Sequence, residues 1–208
     1  MEHSPTGYPV ALEIDYPDGP RDWLTALLRP IVALPIVVVL ALVSGANVHG
    51  HGHNWSGAAG GILFLATVVM LLFRHKYPAW WFDWNVGLTA FSLRVTAYLT
   101  LLRDEYPSTH DEQAVHLYIP YPDAQTELSR WLPLVKWLLV LPHMVIVSLL
   151  GIAAVVCVII AWFAILITGQ YPRRLFDFVV GVMRWWVRVA AYAFLLTTDR
   201  YPPFRLGA

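Results

Sequence analysis

The sequence predicts an all-α membrane protein, a tandem parallel repeat with about four transmembrane segments, two amphipathic Trp-rich interfacial helices and a short strand before each repeat. Three observations carry that expectation. Of 208 residues 58% are apolar and only 13% charged, against roughly 45–50% and about 25% in an ordinary soluble domain. Four apolar stretches, 23–44, 57–73, 131–150 and 151–168, lie near the ~20 residues that a spanning helix needs. The two halves of the chain also align with one another.

The charge deficit is the more telling part of the composition, because a soluble chain of this size needs a hydrated surface. The mean hydropathy of +0.56 agrees with it. Together they argue against disorder, a coiled coil, a DNA-binding domain and a secreted disulfide scaffold. Lys plus Arg number 14 and Asp plus Glu 14, so no basic excess points to nucleic acid. Cys157 stands alone inside GIAAVVCVIIAW, which excludes an intrachain disulfide and reads as a small hydrophobe. The opening MEHSPTGYPV has no basic stretch followed by an apolar run, so insertion is expected through the internal segments.

The elements follow in order. VALEIDY (10–16) and VHLYIPY (115–121) alternate with period two and end in Tyr-Pro-Asp, which predicts two short strands. The apolar stretches 131–150 and 151–168 abut without a polar loop. As one straight helix they would reach roughly 57 Å, far beyond a ~30 Å hydrocarbon core. A bend is therefore expected at Pro133, Pro142 or Gly151. Segments 80–102 and 175–197 are apolar but carry charge, and read as the interfacial helices. Trp80, Trp81, Trp84, Trp131, Trp137, Trp185 and Trp186 cluster near segment ends, as an aromatic belt would.

Tyr-Pro occurs seven times, at Tyr8, Tyr16, Tyr77, Tyr106, Tyr121, Tyr171 and Tyr201. Six of these fall into register as a duplication. Residues 77–105 lie over 171–199 with 12 of 29 positions identical and no gap, among them Asp83, Gly87, Arg94 and Tyr98. VALEIDYPD (10–18) aligns with VHLYIPYPD (115–123), and RPIVALP (29–35) with KWLLVLP (136–142). This divides the chain into a first repeat, 1–109, and a second, 110–208. The first carries about 13 extra residues around 47–60, so a turn is expected there and, by alignment, near Gly151 in the second. Basic residues crowd at 74–76 and 173–174 while the loop 45–57 has none, which orients both copies alike. The arrangement expected is a membrane hairpin plus an interfacial helix in each copy.

The run GQYPRRLFDFVVGVMRWWVRVAAYAFLLTTDRYPPF (169–204) resembles the signature of an uncharacterised bacterial membrane family described only as a domain of unknown function. The likeness extends upstream through 130–168 and, diluted, through the first copy, where Ala90 replaces Arg184. The resemblance implies a bacterial cytoplasmic membrane location and no particular activity.

Asp177, Gly181, Arg184 and Arg188 share one helical face, and the first copy keeps Asp83, Gly87 and Arg94. Charges in hydrocarbon cost about 2.5–3.5 kcal/mol each on insertion scales, so these should face protein, water or headgroups. Three readings stay open: reciprocal pairs, Asp83 with Arg188 and Asp177 with Arg94, arginines bound to lipid phosphates, or a transport pathway. His49, His51 and His53 sit in a Gly-rich loop where three imidazoles could gather on zinc, copper or nickel, although a polar hairpin loop explains them too. His143 at an apolar helix start reads as structural, and Asp104-Glu105 as solvated surface. No P-loop, Rossmann fingerprint, HExxH, GxSxG or CxxC is present. The reading that fits best is a non-enzymatic scaffold or accessory subunit of the inner membrane, partnered by lipid, other membrane proteins or itself. A small transporter or oligomeric channel, and a metal-handling protein using the His loop, are the alternatives.

Overall fold

A computed structural model describes residues 7–17, 19, 21, 23–44, 65–109, 111 and 113–207. The fold is mostly helical, with β1 (Ala11–Ile14), α1 (Trp23–Val32), α2 (Leu34–Ser44), α3 (Leu65–Arg74) and α4 (Ala79–Leu99) in the first half. The second half holds β2 (Val115–Tyr118), α5 (Pro133–Leu139), α6 (Leu141–Thr168) and α7 (Arg173–Ala193).

Prolines explain the breaks. α1 passes into α2 at Ala33, and α5 into α6 at Val140, two positions that align. Each junction stands two residues before a proline, Pro35 or Pro142, whose missing N–H cannot continue the ladder. Neighbouring bonds hold across: Ala33 N–H donates to Arg29 O at 2.8 Å, and Val140 N–H to Lys136 O at 2.9 Å. Pro30, inside α1, cannot donate to Ala26 O. The Trp162 indole of α6 does so instead, at 3.2 Å, joining the two halves through a carbonyl that the helix leaves free.

No turn occurs at Gly151. α6 runs 28 residues without a break, which corrects the expected hairpin over 131–168. A helical glycine costs only about 1 kcal/mol, whereas a turn among apolar side chains would leave backbone groups unbonded. The chain bends instead at its prolines, and 131–150 and 151–168 are not separate spans. Among the described residues two helices are long and apolar enough to cross a membrane, Trp23–Ala41 and Leu141–Thr168.

Both expected strands form and pair antiparallel. Leu12 lies opposite Leu117, its own aligned counterpart, and Ala11 opposite Tyr118 mirrors Glu13 opposite His116. A local twofold relation therefore passes between the two leucines. α3 and α6 end alike in a left-handed residue, His75 (φ 48°) and Gly169 (φ 70°). α4 and α7 then start directly after Pro78 and Pro172.

α7 packs against α5, α6 and β1, and Leu206 of the C-terminal segment approaches it at Gly181. Phe176, Val179, Val180, Met183, Val187 and Ala191 join the main core there. Gly181 makes the close approach of that segment possible: a Cβ there would meet Leu206 Cβ at 3.0 Å and its carbonyl oxygen at 3.2 Å. The aligned Gly87 has nothing within 4 Å. Gly181→Val should therefore cost about 1–3 kcal/mol through overpacking, while Gly87→Ala should be neutral or slightly stabilising. Thermal unfolding of the two variants in detergent checks this; equal shifts would refute the contact.

Candidate functional site

Two cations sit inside the protein at aligned positions. Arg29 at the end of α1 is buried; its guanidinium lies 4.6 Å from the centre of the Tyr98 ring and pairs with Asp104. It also donates to Tyr98 O at 3.0 Å and Arg103 O at 2.9 Å. Lys136 in α5 is wholly buried, 4.8 Å from the centre of the Tyr192 ring, and pairs with Asp199 at 2.7 Å while donating to Thr198 O at 2.7 Å. Tyr98 and Tyr192 are counterparts, and the two acids follow the ends of α4 and α7. A buried charge is tolerated only when paired and hydrogen-bonded, and both clamps supply that. Desolvation still holds the Lys136 ammonium below its ordinary value, with Asp199 acting in the opposite direction.

The Tyr-Pro tyrosines cross between halves. Tyr16 of the first donates to Tyr171 O of the second and meets Phe176 edge-on at 5.0 Å. Tyr121 of the second donates to Tyr77 O of the first and meets Phe82 edge-on at 5.1 Å. Tyr77 returns a bond to Leu195 O at 2.9 Å. Burial pushes the phenols of Tyr77 and Tyr171 well above their ordinary value. Arg21 reaches Leu101 O and Leu102 O and shares Asp104 with Arg29, so Asp104 is a bridging acid and not free surface.

A second cluster surrounds His143. The Trp185 indole donates to its Nδ1 at 3.1 Å, Phe204 stacks on it at 4.0 Å, and Tyr201 tilts against it at 4.8 Å. An accepting Nδ1 places the proton of the neutral ring on Nε2, which is buried with no protein partner among the described residues.

The predicted charge stripes are placed differently from either pairing. Asp177 is exposed and bonds Arg173 one turn away at 3.1 Å, not Arg94. Arg188 is buried but donates to Arg205 O and Gly207 O, not to Asp83. Arg94 donates to Ser108 O at 2.8 Å and Arg184 to Leu12 O at 2.8 Å, while Asp83 stands exposed on α4. Nearby backbone carbonyls reach these arginines before a carboxylate on the other helix does. His49, His51 and His53 lie outside the described residues, among which no metal-holding group of His, Cys, Asp and Glu occurs.

Arg21, Arg29, Lys136 and Asp199 were the residues that pattern reading missed. The signal was available: RPIVALP over KWLLVLP keeps one cation in step within apolar surroundings.

Cavities also open among the described residues, a smaller one of about 220 Å³ beside Arg29 and Trp162 and two larger ones. One of about 530 Å³ lies between α4, α6 and α7; the α4 hydroxyls on it (Thr89, Ser92, Thr96, Thr100) each bond back to their own helix, which leaves it apolar. Another, of about 510 Å³, lies at the α3–α4 junction and is lined by Arg74, Lys76, Ala79 and Tyr121 among others.

No curated protein and no solved structure matches the chain. Residues 130–205, which hold Lys136, His143, Trp185, Tyr192 and Asp199, match the model of a family described as a domain of unknown function, DUF4389.

Proposed function

We propose that this chain is a multi-pass protein of the bacterial cytoplasmic membrane that acts as a non-enzymatic scaffold or accessory subunit, holding lipid and membrane partners against its apolar helices. One observation carries the reading: apolar helices stand exposed around a core whose buried cations are already engaged. α6 leaves Val145, Leu149, Ile152, Val156, Phe163 and Ile167 uncovered, the last 83% exposed. Exposed apolar area on this scale is unfavourable in water and neutral in lipid.

Chemistry at the charges has little support beside it. A transport route needs charges that face water, and Arg184 and Arg188 face backbone carbonyls. Catalysis needs converging acid, base or nucleophile, and Arg29 and Lys136 are spent on closing their own halves. The matched clamps, exchanged tyrosines and self-paired leucines favour a tandem parallel repeat with halves 1–109 and 110–208.

The test is fractionation followed by reconstitution. The chain should stay with membranes through an alkaline carbonate wash, copurify with lipid and partner proteins, and give no ion flux in liposomes. Release by carbonate would overturn the membrane assignment, and flux from a partner-free monomer would overturn the scaffold.

A further inference from the structure

The two halves differ at one built feature. Arg173 opens α7 with its guanidinium 4.6 Å from the centre of the Tyr16 ring and its Nε donating to Asp177 at 3.1 Å. Tyr121 and Asp83 are the aligned partners in the other half, but Ala79 stands where Arg173 does. Tyr121 is held in place by its bond to Tyr77 O and its edge contact with Phe82, yet it is 52% exposed. An oriented aromatic face and a carboxylate thus stand ready without the cation that joins their counterparts.

The cavity of about 510 Å³ opens at this place. Beyond Ala79 and Tyr121 it is lined by Arg74 and Lys76, both exposed and without an ion-pair partner among the described residues. Two further titratable groups line it: Asp123, an exposed carboxylate that accepts from Gln125 N–H at 3.0 Å, and His75, whose Nε2 meets Leu128 O at 2.8 Å. Tyr121 offers a π-face in the cavity wall, Asp83 lies one helical turn beyond Ala79 on α4, and Arg74 and Lys76 supply two strong cations.

We propose that this cavity binds the headgroup of a zwitterionic phospholipid of the phosphoethanolamine type. The ammonium takes the Arg173 role over Tyr121 and against Asp83, and the phosphate lies at Arg74 and Lys76. The proposal deepens the membrane reading and rests on it; exposed Phe73 and Trp80 flank the site as side chains at a lipid interface do. A primary ammonium gains from both the ring and the carboxylate. An anionic lipid lacking an ammonium uses neither and brings its charge toward Asp83.

Native mass spectrometry of the full chain in detergent, titrated with phosphatidylethanolamine, phosphatidylglycerol or soluble glycerophosphoethanolamine, tests this. Phosphatidylethanolamine should bind about fivefold tighter than phosphatidylglycerol, and the soluble headgroup more weakly than the lipid. Ala79→Arg rebuilds the arrangement of the other half and should remove that preference while the protein stays folded. Asp83→Asn, at an exposed position, should reduce it without risk to the fold. Equal binding of the two lipids, or unchanged preference in both variants, would overturn the site; equal binding of the soluble headgroup would overturn lipid as its source. Carbonate resistance separates the outcomes: a chain retained in membranes but indifferent to headgroup refutes this inference alone.

Discussion

Lys136→Met should lower the unfolding free energy by about 3 kcal/mol, the low end for breaking a buried ion pair. Lys136 is wholly buried, but its partner Asp199 keeps a fifth of its side-chain surface, so water can partly rehydrate the abandoned carboxylate. Asp199 also retains the Ser129 N–H bond at 2.6 Å. Adding Asp199→Asn should recover about 1 kcal/mol, because the uncompensated charge is then gone. Arg173→Met, which breaks the exposed pair with Asp177, should change stability by only about 0.5 kcal/mol.

The pH dependence has a defined sign. Burial holds Lys136 below its ordinary 10.5, so between the lowered and the ordinary value the unfolded chain binds more protons than the folded one. Stability contributed by this group rises with pH in that interval. The deficit of Lys136→Met relative to the parent should therefore widen on approaching pH 10.5. Denaturant titrations in detergent at two or three pH values measure both effects; a deficit under about 1 kcal/mol that ignores pH would show that Lys136 is not clamped.

Trp185→Ala should cost about 3–5 kcal/mol, and the neighbouring Trp186→Ala much less. Trp185 is buried in α7, where its ring contacts His143 and Phe204 and its indole satisfies His143 Nδ1. Trp185→Phe keeps most of the volume but leaves both imidazole nitrogens unbonded, at about 1–3 kcal/mol. Trp186 is 41% exposed and tilts against Phe194. Thermal unfolding of the three variants orders them; a Trp186 variant as damaged as Trp185→Ala would place the wrong ring in the core.

Much of the fold was legible in local pattern. Period-two alternation located both strands, and the apolar, charge-bearing segments 80–102 and 175–197 located α4 and α7, which start after Pro78 and Pro172 because proline suits the first position of a helix. The hairpin at Gly151 failed because a helix end was inferred from an insertion in sequence, around 47–60, that only the first half carries. The paired stripes failed for a related reason. Helical spacing places Asp177, Arg184 and Arg188 on one face, but not what covers that face. Here β1 offers Leu12 O to Arg184 and the C-terminal segment offers Arg205 O and Gly207 O to Arg188, while Asp177 stays exposed.

By itself the sequence determined a mostly helical chain with apolar segments long enough to span a membrane, two aligned halves and a break near Pro142, since hydropathy, identity and a missing N–H group are properties of the chain. Tertiary structure alone decided which charges are structural, which of two adjacent tryptophans is core, and that Tyr16 and Tyr121 each serve the opposite half. Those are properties of what lies across from a residue, and an antiparallel strand pair that sets Leu12 opposite Leu117, 105 positions along the chain, is what brings the far side near.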